Sequence, residues 1–209
     1  MAALATDDSA AADGVVDGPS DGYLVVCNIG KKENIKKLLA LAVAYGLEHV
    51  LIVGQPHFEL ATHAPPPSVV PGLAERISIR RHPDLASCKA FLMERGITCV
   101  RAWTTGMAAG QHALMIDCTC LHFRVRLYGV EIVEGARLVQ DVDFRGRPSA
   151  FMMGNEGSGM NKTQLSACDE FIIIAQYGNG TASLNVSNAA AIVLQYFALS
   201  RVTSECSGE

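Results

Sequence analysis

No apolar run in the 209 residues approaches the roughly 18 needed to cross a bilayer. The longest, Leu38–Leu47 and Ala189–Leu194, stop well short, and Glu48 and His49 close the first. That excludes a membrane-spanning helix. Residues 1–21 contain no Lys or Arg but hold Asp7, Asp8, Asp13, Asp17 and Asp21. They have neither the basic start and apolar stretch of a secretory signal nor the arginines of a mitochondrial leader, and read as a flexible acidic tail. The seven cysteines are odd in number and form no CxxC pair, which argues against a disulfide framework or zinc site and for a reducing compartment, cytoplasm or nucleus. The six histidines show no ligand spacing, so no metal is expected.

What is present is a chain 49% hydrophobic and 18% charged, as expected of one folded domain. Its net charge of −4 resides in the tail, and without residues 1–21 the remainder carries +1. Basic clusters at Lys31, Lys32, Lys36 and Lys37, at Arg80 and Arg81, at Arg124 and Arg126, and at Arg145 and Arg147 are compatible with an RNA or nucleotide partner.

Periodicity gives an α/β order. Tyr23–Cys27 is an apolar strand, and residues 31–45 place Ile35, Leu38, Leu39, Ala42 and Val43 at helical spacing before Gly46. His49–Val53 is an unbroken apolar run of the kind a parallel strand covered on both faces requires. Pro56, Pro65, Pro66, Pro67 and Pro71 mark a loop. A helix over 84–95 and a strand at Ile97–Val100 follow, and residues 101–126 keep no steady period. Strands at Leu127–Val133, Ser149–Met153 and Phe171–Ile174 come next, with a short helix from Asn161 to Cys168. A final helix carries the stripe Ala189, Ile192, Val193, Tyr196 and Phe197, with Ser183 or Asn185 as its cap.

Three polar or glycine-rich segments follow strands directly, where open α/β sheets place ligands. They are Asn28-Ile29-Gly30, Gly154-Asn155-Glu156-Gly157-Ser158-Gly159, and residues 177–185, which end in Ser183-Leu184-Asn185. The second lacks the Lys-Ser/Thr of a phosphate-binding loop and the spacing of a dinucleotide fingerprint. Its glycines instead permit close backbone approach to a planar ligand.

In this order, Asn28-Ile29-Gly30 opening a helix, Phe151 through Met160, and Ser183-Leu184-Asn185-Val186-Ser187-Asn188-Ala189 resemble the three motifs of the SpoU (TrmH-like) family of RNA 2′-O-ribose methyltransferases, of the SPOUT class. The resemblance implies a SPOUT-type, mostly parallel sheet flanked by helices with a C-terminal deep trefoil knot, spanning residues 22–201 between the tail and a short segment 202–209. It also implies a homodimer, tRNA or rRNA as partner, and S-adenosylmethionine as cofactor. The cofactor pocket it implies comprises Gly154, Asn155, Gly157, Ile174, Gln176, Ser183, Leu184 and Asn185.

For transfer to a ribose hydroxyl the family is associated with an Arg six residues after the first-motif Asn, helped by the second-motif Glu and the third-motif Ser and Asn. Here these positions are Asn28, Asn34, Glu156, Ser183 and Asn185. The family's Arg is thus Asn34, which is neither a base nor a cation. Lys31 and Lys37, three residues to either side, can bring the charge back to that helix face. Two readings stand at this point: an active methyltransferase using a lysine, or a knotted RNA- or cofactor-binding module. Glu156 is either a site carboxylate or a charge fixing its own loop. Residues 101–126 resemble an insertion, offered to RNA through Arg124 and Arg126 or disturbing the sheet beside the site.

Overall fold

The computed structural model describes residues 22–95, 124–155, 157–178 and 183–202. The expected tail, the strand at 97–100, Glu156 and nearly all of the segment 101–126 lie outside the described residues.

Strand β1 (Gly22–Cys27) leads into helix α1 (Lys32–Ala44) and strand β2 (His49–Val53). Two four-residue helices, α2 (Leu60–His63) and α3 (Leu73–Arg76), punctuate the proline-rich stretch, and β3 (Ser78–His82) and α4 (Leu85–Arg95) follow. Then come β4 (Arg126–Val130), the two-residue β5 (Arg137–Leu138), β6 (Ser149–Met153), α5 (Lys162–Ala167), β7 (Glu170–Ile173) and α6 (Val186–Val202). Among the described residues seven strands form one sheet in the order β3-β2-β1-β6-β4-β7-β5, and every pairing in it is parallel. The α/β expectation therefore holds.

Both faces of the sheet are covered, which is why its central strands are apolar throughout rather than alternating. Leu24, Val26, Val50, Ile52, Phe151 and Met153 point to the face covered by α1 and α6, where Ile35, Leu38, Leu39, Val193, Leu194 and Phe197 meet them. Tyr23, Val25, Leu51, Val53, Ala150 and Met152 point to the other face, against Cys88 and Leu92 of α4 and the partly buried Leu165 of α5. Phe151 stands at the centre, 5.8 Å from Tyr128, 5.5 Å from Phe144 and 5.2 Å from Phe197 between ring centroids. Such edge-on and offset ring pairs each contribute about 0.5–1.5 kcal/mol beyond area burial, so they tie the last helix to the middle of the sheet.

Two expectations need adjusting. The strand expected over Leu127–Val133 begins at Arg126 and ends at Val130, so Glu131 is the first residue past it. Strand β3, with the sequence SIRRH, has too little apolar character to be legible; it can be polar because it lies at the sheet's edge. Arg124 and Arg126, considered as RNA contacts, are ion-paired with Asp169 and Glu170 respectively. Asp169 also accepts from the Leu127 N–H at 2.9 Å, so this network closes the amino-terminal ends of β4 and β7. Among the described residues no helix is long and apolar enough to cross a membrane, and no group of three or more His, Cys, Asp or Glu side chains is placed to hold a metal ion.

His49, at the start of β2, is buried between the ring of Tyr23 at 5.4 Å and the edge of Phe91 at 5.8 Å. Burial pushes its pKa below the ordinary value; Glu48 opposes this, and the Arg95 and Arg80 charges add to it. His82 is shifted the same way, chiefly by burial. Folding thus keeps these rings neutral where the unfolded chain takes up protons, near pH ~6.5. The thermal midpoint should decline as pH falls below that value, and less steeply in His49→Phe; identical pH profiles for the two proteins would contradict the assignment.

Candidate functional site

Parallel pairing sends the carboxyl ends of β1, β6, β4 and β7, four successive neighbours, to one edge of the sheet. Asn28 follows β1, Gly154 follows β6, Glu131 follows β4 and Ile174 follows β7. The segment leading into α6 returns to this edge. A crevice there is lined by Gly154, Asn155, Ile174, Gln176, Ser183 and Leu184, six of the eight residues expected of a cofactor pocket. Val130, Glu131, Ile132, Met153, Ile173, Val186 and Ala189 complete its walls and were not among the expected pocket residues. The first three fell inside an overlong expected strand, Met153 and Ile173 read as strand core, and the last two lie in the third motif but carry the apolar signature of a core helix.

The second motif is a tight hairpin. Asn155 and Gly159 exchange two backbone hydrogen bonds, of 3.2 and 3.1 Å. The Asn155 side chain works in two directions: Oδ1 accepts from the N–H groups of Gly157 at 3.0 Å and Ser158 at 3.3 Å, and Nδ2 donates to the Asn28 carbonyl at 2.7 Å. Asn28 itself has φ of 59°, a left-handed conformation that Asn tolerates better than most residues. The neighbouring Ile29 carbonyl accepts from Gln55 Nε2 at 3.4 Å, so the loop after β2 braces the first motif from the other side.

The third motif is organised by Asn185. Its Oδ1 accepts from the backbone N–H of Ser187 at 3.0 Å and from Ser187 Oγ at 2.6 Å, capping α6 in the position offered to either Ser183 or Asn185. Its Nδ2 donates to Asn34 Oδ1 at 3.4 Å. Asn34 is only 4% exposed, on the inner face of α1, whereas Lys31 at the N-cap position and Lys37 are exposed. The first motif is thereby bonded to the second through Asn28 and to the third through Asn34. Asn28, Lys31, Asn34 and Asn185 stand outside the crevice lining, as does the exposed Gly157.

The carboxylate of Glu131 lies under the hairpin, where Oε2 accepts from the Met160 N–H at 2.7 Å. Burial pushes the Cys88 and Cys168 thiols up to about 12, so neither is a nucleophile at ordinary pH.

Asn155→Ala removes the bond to Asn28 and the acceptor for two hairpin amides. Loss of about 1–2 kcal/mol in urea unfolding is expected, with faster hydrogen exchange at Gly157 and Ser158. Unchanged exchange at both amides would show that the side chain does not organise the hairpin.

The family model described as the SpoU rRNA Methylase family matches residues 21–195. A tRNA (guanosine(18)-2′-O)-methyltransferase of Thermus thermophilus is 28% identical over 171 residues, covering 80% of this chain and 69% of its own. The 23S rRNA (guanosine-2′-O-)-methyltransferase RlmB of Acinetobacter baylyi is 40% identical over 73 residues, which are 35% of this chain and only 29% of that protein. Among solved structures, the A. aeolicus TrmH/SpoU tRNA modifying enzyme superposes with a TM-score of 0.64 at 17% identity, covering 89% of this chain and 78% of that one. The SpoU methyltransferase AviRb of Streptomyces viridochromogenes, in complex with AdoMet, gives 0.61 at 20% identity, covering 90% and 63%. These two likenesses show a shared fold. With the matched family model running from the first strand through the crevice into the last helix, the chain belongs to the SpoU rRNA methylase family.

Proposed function

We propose that the chain is a methyltransferase that binds S-adenosylmethionine in this crevice and methylates a ribose 2′-hydroxyl of a tRNA or rRNA. The observation that carries the reading is the meeting of the second and third motifs in one crevice, with the first motif hydrogen-bonded to both. The lining fits the donor. Val130, Ile132, Leu184 and Val186 offer apolar surface to a purine, and Asn155, Gln176 and Ser183 set polar side chains among the same walls. The relatives' names as tRNA and rRNA 2′-O-methyltransferases, and the AdoMet complex of AviRb, point the same way.

When bound, S-adenosylmethionine supplies an electrophilic methyl group. In this reading Gly154, Asn155, Ile174, Gln176, Ser183 and Leu184 hold it, with Gly157 and Asn185 shaping the loops around it. Asn28 presents the strained turn that the substrate ribose meets. Asn34, an amide engaged by Asn185, cannot remove a proton. That task or the neighbouring phosphate contact goes to Lys31, which opens α1 beside Asn28 with an exposed side chain, with Glu156 and Ser183 as further polar groups. We extend the same reading to a SPOUT domain over residues 22–201, a C-terminal trefoil knot and a homodimer. Strand order supports the knot: β7 inserts between β4 and β5, inside the excursion that leaves β4 and returns as β6, a crossing of connections that ordinary sheets avoid.

The second reading, a binding module without catalysis, rests on Asn34 in the family's Arg position. Isothermal titration with S-adenosylhomocysteine, followed by tritiated methyl transfer into total RNA and nucleoside analysis, separates the two. We expect binding, and label recovered as a 2′-O-methylnucleoside. Lys31→Met should keep the affinity and lower transfer by about 10²-fold or more. Binding without transfer in the unmodified protein would select the second reading, and full turnover in Lys31→Met would remove the lysine from the mechanism.

A further inference from the structure

We propose that Glu131 is a positioning residue that sets the backbone of the second-motif hairpin in the crevice, and that the hairpin's glycines answer to its carboxylate. The donor-binding consequence rests on the function proposed above; the hairpin geometry does not.

Glu131 is the first residue past β4, and its own N–H still donates to the Ile172 carbonyl at 3.2 Å, so its backbone is held between β4 and β7. From there the side chain passes beneath the hairpin. Oε1 accepts from the Ile132 N–H at 3.0 Å, and Oε2 reaches 29 residues ahead to the Met160 N–H at 2.7 Å. Met160 in turn buries its side chain in the core on the α4 and α5 face, so the outgoing leg of the hairpin is pinned at two points.

The space this carboxylate fills is space that side chains would otherwise take. A Cβ on Gly154 would stand 2.4 Å from Oε2, and one on Gly159 2.6 Å from it, both closer than real Cβ contacts come. Gly159 additionally has φ of +66°, where other residues are strained. Gly157 has no such constraint: a Cβ there would meet nothing nearer than Asn155 Oδ1 at 3.8 Å. Two of the three glycines therefore make room for Glu131, and it is the carboxylate, itself part of the crevice wall, that fixes how the Gly154–Asn155 backbone faces the cavity.

Reach and charge are separable by substitution. Glu131→Gln keeps the length and one oxygen acceptor, enough for the Met160 N–H but not also for the local Ile132 N–H; Glu131→Asp keeps the carboxyl but withdraws it by one methylene; Glu131→Ala removes both. Two measurements apply: hydrogen exchange at the Met160 amide in ligand-free protein, and S-adenosylhomocysteine affinity by titration, with thermal midpoints to confirm folding. A positioning role predicts that Gln stays close to the unmodified protein. Asp and Ala should exchange Met160 faster and bind about ten- to a hundredfold more weakly. Asp retaining full affinity while Gln loses it would overturn the inference in favour of a pure charge effect, and unaltered exchange in Ala would overturn it outright. If Ala does not fold, the Gln and Asp pair decides. Failure of the unmodified protein to bind S-adenosylhomocysteine would contradict the proposed function, while Met160 exchange would still decide the role of Glu131.

Discussion

Parallel pairing of β1, β6, β4 and β7 is the constraint on which the site depends, because it delivers four loops to a single edge without any of them having to be long. The cost of that arrangement is a core covered on both faces, and the chain meets it with α1 and α6 on one side and α4 and α5 on the other. Phe197 of α6, packed on Phe151 of β6, makes the helix that carries the third motif part of the same rigid body as the strand that carries the second. A loop that is merely near another can drift; these two are fixed by a shared aromatic core.

Within that frame the three motifs are joined by side-chain amides. Asn155 binds the first motif to the second, and Asn185 binds the first to the third. An amide both donates and accepts, so each bridges two motifs while leaving no charge in the contact. Charged pairs are placed elsewhere: Arg124 with Asp169 and Arg126 with Glu170 lie at the amino-terminal ends of β4 and β7, the opposite edge from the crevice. The exposed lysines at the start of α1 follow the carboxyl end of β1, the edge that carries the crevice.

Much of this was legible in the sequence where burial on two faces leaves an unbroken apolar signal. Residues 49–53 and 149–153 have the bounds expected of them, and the first strand and helix fall within one residue of theirs. The motif resemblance located six crevice residues, since loops at strand ends are written in glycine and asparagine rather than in periodicity. Illegible were the elements whose stability comes from tertiary partners. Strand β3 is polar because only β2 flanks it, β5 is two residues long, and α2 and α3 are single turns among prolines. Glu131 was hidden by its neighbours, for Ile132 and Val133 continue an apolar run that the backbone has already left. Nor could spacing reveal that Gly154 and Gly159 face a carboxylate 23 residues or more before them, because that contact exists only once β4 and β6 are paired.

The most direct test of the central claim, that one crevice at the carboxyl edge of the sheet receives a methyl donor, is a crystal structure of the chain grown with S-adenosylhomocysteine. The account predicts ligand density between the Gly154–Asn155 backbone and the Ser183–Leu184 segment, with Ile174 and Gln176 along its side. Density at any other edge of the sheet, or a crevice filled by the chain's own side chains at saturating ligand, would contradict it.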